Sequence, residues 1–281
     1  MTRARWAGAI LAVWGLTLAW LVRREVFRPT DTRLAEAAFA VAPEAAYYRV
    51  DVGGRQVGFA SSMIDTLPDS LRVSDLIVLD VPVLGRMQRT TARSVAMLSR
   101  TLRLGSLMVR VESDAGRYWA RGSVVSDSVL RLVITTGVDS QVTRLPAREA
   151  VVLSSLLPLR LALGGQLRRG QTHQLRVFDP ATLGLRRAAV SVDAESLFVV
   201  PDSAEYDSTA MAWVPAHFDS LRTVRIDEVV GGVRMRAWAD AAGRLARAES
   251  PGGLVVERSA FEIAYENFRR RDVAPALDGS A

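Results

Sequence analysis

The sequence predicts a mainly β (α+β) fold: a strongly curved antiparallel sheet or half-barrel wrapped around an apolar helical segment, with an N-terminal transmembrane helix. Three observations predict it. Segments of alternating polarity recur from Tyr47 onward, most of them separated by turn residues. One mid-chain stretch, 147–163, is apolar on nearly every side. An uncharged run, 6–22, is flanked by Arg5 before it and Arg23-Arg24 after it.

Run 6–22 lies near the lower limit of about 17 residues for a spanning helix, and flanking arginines can extend toward the headgroups. Trp6 and Trp20 sit near its two ends, where interfacial aromatics belong. A cleaved signal peptide is the competing reading. It fits Arg3 and Arg5 but not the bulky Trp20, Leu21 and Val22 where small residues are needed. The division expected is an anchor over 1–28, a linker or short helix over 29–46, a curved β-domain over 47–271 and a flexible tail over 272–281. The arginines on the two sides of the run do not decide orientation; a single-pass protein of a bacterial inner membrane with its main domain in the periplasm is the expectation.

The first strand candidate, 47–52, meets Gly53-Gly54, a hairpin turn signal, and 56–64 returns as its partner. Segments 71–81, 88–98, 107–112, 117–125 and 129–135 continue the pattern, and a meander is the simplest topology. In 147–163, Pro158 should break or kink the helix and Gly164-Gly165 should stop it. Arg148, Glu149 and Arg160 argue against a second membrane span. Further strands are expected at 173–178, 186–194, 209–214, 223–230, 233–239, 245–249 and 254–258. A terminal helix over 259–271 is expected, with Ser259 as N-cap and Glu262 three residues later. An antiparallel sheet of this kind has one apolar face that something must cover, and 147–163 is the candidate.

Composition excludes several chemistries. Of 281 residues none is cysteine and none is lysine, so disulfides, cysteine nucleophiles, thiolate zinc sites and lysine Schiff bases are excluded. The net charge of +6 rests on arginines that mostly alternate with apolar residues, as solvent-facing strand positions do, and no nucleic-acid partner is expected. The two histidines, His173 and His217, could pair with Asp179 or Asp219, but Pro215 and Asp219-Ser220 suggest a loop around His217. No G-x-S-x-G elbow, H-E-x-x-H or P-loop is present. Residues 202–207 lack calcium-loop spacing and read as a solvated loop.

Four local patterns occur in order: Gly53-Gly54-Arg55-Gln56-Val57-Gly58-Phe59; the apolar segment ending at Gly164 with Leu167-Arg168-Arg169-Gly170-Gln171; Val177-Phe178-Asp179-Pro180-Ala181-Thr182; and Ala237-Trp238-Ala239-Asp240-Ala241-Ala242-Gly243-Arg244-Leu245. Together they resemble the N-terminal β-domain of bacterial membrane-anchored transglutaminase-like proteins, related to the half-barrel of lipoprotein-carrier families. The resemblance covers about 47–268. The Cys-His-Asp triad of the transglutaminase-like catalytic domain cannot be carried over to a chain without cysteine. The residues themselves have plain structural roles: Asp179-Pro180 as a turn, and Trp238-x-Asp240-x-x-Gly243 as a strand entering a hairpin.

The expectation is a non-catalytic, membrane-anchored accessory domain, attached through 6–22 and working with a separate transglutaminase-like or envelope protein. The alternative is a carrier or sensor that binds a lipid or other apolar ligand in the concave face. No catalytic, metal or cofactor residue is assigned and no cofactor is expected.

Overall fold

The computed structural model describes residues 41–83, 86–114, 116–125, 129–147, 151–179 and 182–271, preceded by Leu34, Ala37 and Ala38. The expected membrane run 6–22 and tail 272–281 lie outside the described residues. Among the described residues no helix is long and apolar enough to cross a membrane.

Among the described residues fifteen strands form one sheet. The first arm comprises β1 (Glu44–Val52), β2 (Arg55–Thr66), β3 (Ser70–Val83), β4 (Arg86–Ser99), β5 (Leu104–Ser113), β6 (Gly116–Val125), β7 (Val129–Thr136) and β8 (Asp139–Pro146). The second comprises β9 (Val152–Leu153), β10 (Thr172–Asp179), β11 (Gly184–Asp207), β12 (Ala212–Val230), β13 (Val233–Asp240), β14 (Leu245–Glu249) and β15 (Leu254–Ser259). Each arm is a meander of antiparallel neighbours, apart from the parallel β9–β10 pair. The arms join where β1 pairs with β15, Val50 opposite Val256, so β8 and β9 are the two ends of an unclosed sheet.

The expected curvature follows from which side chains share a core. Leu71, Val73, Ala96, Leu98, Leu107, Val109, Leu130 and Leu132, from β3 to β7, lie in one buried cluster with Leu153, Leu156, Leu159 and Phe178. Strands near opposite ends of the sheet can meet in one cluster only if the sheet rolls over. Three hydrogen bonds fasten the roll: the Leu104 N–H donates to the Val151 carbonyl, 2.9 Å, Arg160 Nη1 to the Thr101 carbonyl, 3.0 Å, and Arg176 Nη1 to the Pro146 carbonyl, 3.0 Å.

Inside the roll lies α1 (Leu157–Leu163), entered through a 3-10 turn at Ser154–Leu156. Leu157 and Leu161 pack on a second cluster with Val177, Ala188, Val190, Ile226 and Ala239. The segment therefore supplies the buried helix expected of it, but Val152–Leu153 within it form strand β9. Pro158 does not kink the helix. It stands in the first turn, where the missing N–H would have had no intrahelical partner.

Other expectations are corrected locally. Ser259 does not cap a helix: it closes β15, opposite Tyr47, and no side chain caps the terminal helix, which widens to a π turn at Glu262–Glu266 and continues as α2 (Asn267–Arg271). That helix sits on the outer face, where Ala264 and Phe268 pack on Phe59 and Val78. Residues 202–207 and His217 are in long paired strands rather than loops. Strand β8, mostly exposed, is an addition to the expected set.

Two hairpin signals are confirmed. Gly53 and Gly54 have φ of +59° and +79° between β1 and β2, as a two-residue turn requires. Gly243 has φ of +80° in the turn after β13, and a Cβ there would stand 2.4 Å from Leu159 Cα. The turn is thus pressed against α1. Gly54→Ala is expected to cost about 1–2 kcal/mol, since only the left-handed backbone is at issue. Gly243→Ala should cost more, because the helix must also shift; denaturant unfolding of both variants, compared at equal m, checks the order.

Candidate functional site

The roll is wider than α1 can fill. Inward residues in register across β1, β2 and β4 are small: Ala46 opposite Ser62, Ala60 opposite Tyr48, and Ala92 and Ser94 opposite Ile77 and Asp75. They leave a cavity of about 1000 Å³ between this wall and Ser155, Leu156, Pro158, Leu159 and Leu163. Its sides are lined by Val109, Val111 and Tyr118 on one arm and by Gly243, Arg244, Leu245 and Val256 on the other. Its volume reaches the upper end of the roughly 300–1,000 Å³ seen for small-molecule sites, which are predominantly apolar with a few placed polar groups.

Those polar groups fall into two sets. Asp75 stands on the wall, where the Ser62 hydroxyl donates to Oδ1 at 2.6 Å and the Ser94 and Ser155 hydroxyls to Oδ2 at 3.4 and 3.3 Å. Burial pushes its carboxyl above the usual aspartate range, while the three hydroxyls pull the other way. The second set surrounds Tyr48, whose phenol burial pushes up to about 12, against the pull of Arg258. Arg258 Nη2 donates to Glu44 Oε1 at 2.9 Å, and Arg244 Nε to Asp240 Oδ2 at 2.6 Å. Asp240 also accepts from the Ala242 and Arg244 N–H groups, 2.9 Å each, which fixes the turn at the cavity edge.

The histidines do not assemble a site. His173 and Asp179 are at opposite ends of β10, roughly 20 Å apart by strand rise, and His173 Nε2 lies 3.1 Å from the Gln166 carbonyl. Asp179 instead accepts from the Thr182 hydroxyl at 2.7 Å. His217 and Asp219 are exposed on β12, and Asp219 Oδ1 accepts from the Ser220 N–H. Among the described residues no group of three or more His, Asp or Glu could hold a metal ion. Asp75 and Tyr48 were not singled out in the sequence. The signal was present: Leu71, Val73, Asp75 and Ile77 are in one phase of β3, which puts a carboxylate among apolar neighbours.

No family model and no curated protein matches the sequence. Among solved structures, the chain is similar to a β-barrel-like protein of a domain of unknown function, DUF1849, from Brucella abortus. The TM-score is 0.52 at 9% identity, covering 77% of this chain and 94% of that one. It is also similar to a DUF1089 family protein from Pseudomonas aeruginosa, with TM-score 0.38 at 10% identity, covering 69% and 90%. The first likeness shows the fold: a β-barrel-like domain built as one large curved, unclosed sheet.

A further buried carboxyl lies on the inner face of β12. Burial, with Asp179 adding to it, pushes Glu228 up to about 7, and its Oε1 has no hydrogen-bond partner. Because the folded-state value is raised, its contribution to stability is fully present below the unfolded value of about 4.5 and is lost as pH rises through 7. Glu228→Gln should remove that loss, worth up to about 3 kcal/mol. Unfolding curves of the two proteins are expected to agree below about pH 4.5, to separate progressively between about pH 4.5 and pH 7, and to keep that gap above it, with the glutamine variant the more stable.

Proposed function

We propose that the domain is a non-catalytic carrier or sensor that holds an apolar or amphiphilic molecule between the sheet and α1. The observation that carries this is the cavity of about 1000 Å³, walled by alanines and aliphatic side chains and furnished with two small polar stations. A core that existed only for stability would close on such a space, since each unfilled volume costs dispersion contacts. Attachment through 6–22 and a periplasmic location complete the proposal, placing the hollow beside a membrane from which apolar molecules are drawn.

Work alongside a transglutaminase-like or envelope protein is the second part of the proposal. It is supported by the long β11–β12 hairpin, where Leu197, Val199 and Phe218 are 64%, 59% and 50% exposed. Their strand positions share one face, with Val199 opposite Ser220 and Pro201 opposite Phe218. Grouped exposed apolar residues of this kind mark contact surfaces.

The cavity proposal is tested with an environment-sensitive fluorescent alkyl probe on delipidated protein. Ala60→Trp, which places an indole in the hollow, should weaken probe binding at least tenfold while the circular dichroism spectrum is retained. Equal binding by the parent and the blocked variant would overturn it.

A further inference from the structure

The charges around the cavity are not evenly compensated. Arg258 is matched by Glu44, and Arg244 by Asp240. Arg93 is on a strand position shared with Leu76 and Arg110, whose side chains belong to the outer face. Asp75 differs: its three partners are all serine hydroxyls, from β2, β4 and the 3-10 turn, and among the described residues it forms no ion pair with a basic side chain. Three donors leave room on the carboxylate, which offers about four acceptor positions. A carboxylate facing an apolar hollow, dressed by neutral donors and lacking a cation, lacks the counter-charge that buried carboxylates normally have.

We infer that the ligand's polar end is cationic: the hollow takes an amphiphile with an amine or ammonium head, seated on Asp75 with Ser62, Ser94 and Ser155 around it and its alkyl chain along Ala60, Ala92 and Leu159. This deepens the proposed ligand-binding reading and rests on it. An N⁺–H donor on Asp75 forms a charge-assisted hydrogen bond, stronger than the neutral hydroxyl contacts already present. The serine hydroxyls, each carrying two lone pairs besides its donor, can accept the remaining ammonium protons. An anionic head is disfavoured beside Asp75 by Asp75 itself; at the opposite end Glu44 accepts from Arg258 Nη2, while Arg258 Nη1 has no hydrogen-bond partner. The raised proton affinity of Asp75 agrees with a carboxylate awaiting a cation. The other ionisable groups lining the hollow are the Tyr48 phenol from β1, neutral below about 12, the Glu44–Arg258 pair from β1 and β15, Arg244 with its partner Asp240, and Tyr118, Asp179 and Arg93.

The test compares binding of dodecylamine, dodecanol and dodecanoate, each below its micellar concentration, to the full chain and to Asp75→Asn, by isothermal calorimetry. The amine is expected to bind the parent tightest and to lose at least tenfold in Asp75→Asn, with dodecanol unchanged. Should the asparagine variant not fold, the parent's pH profile decides: amine affinity should rise with pH as Asp75 ionises, at a pH above that of an ordinary aspartate, while dodecanol affinity stays level. Binding of all three with no preference, or tighter binding of dodecanoate, overturns the cationic head and leaves the cavity proposal standing. Failure of all three to bind overturns both.

Discussion

The whole architecture depends on one mismatch of area. A fifteen-stranded sheet has a long apolar inner face, and the described residues offer only the seven-residue α1, its 3-10 entry and a few helical residues near Leu34 to cover it. A flat sheet would leave most of that face in water, at about 25 cal/mol for each Å². Rolling lets the two arms cover each other, which is why leucines of β3 to β7 meet Leu153 and Phe178 of the other arm. Helix α1 then acts as a wedge between arms rather than as a layer on a sheet. The contact between Gly243 and Leu159 shows how tightly the wedge is held on one side.

The same mismatch creates the hollow. Where the inward positions are leucine, the roll is packed; where they are Ala46, Ala60, Ala92, Ser62 and Ser94, it is not. The cavity is therefore a local choice of small side chains in register across neighbouring strands, rather than a failure of the fold to close. Its polar groups are held by rigid strands and a hydrogen-bonded turn, so a ligand would find them already in place and lose little further conformational freedom in meeting them.

The outer face carries a different economy. The terminal helix covers Phe59 and Val78, and Asn267 ties it to the hairpin through two 2.8 Å hydrogen bonds with the Trp213 backbone. This leaves the hairpin's Leu197, Val199 and Phe218 uncovered on the far side.

Much of this was legible in order along the chain. Alternating polarity marked most of the strands, Gly53-Gly54 and Asp240-x-x-Gly243 marked their turns, and the apolar character of 147–163 marked what lies within the roll. These are local properties, set by the period-2 alternation of strand side chains and by the backbone freedom of glycine. The length of β11 and β12 and the strand character of His217 were not legible, because apolar residues stand on both faces of that hairpin and the polar run 202–207 and Pro215 interrupt any alternation. Nor was the site: Asp75 is one aspartate among many until register places Ser62 and Ser94 beside it and the roll brings Ser155 across. The sequence alone determined which residues face inward; tertiary structure decided which of them meet, because a cavity is a relation between strands far apart in the chain and no single segment contains it.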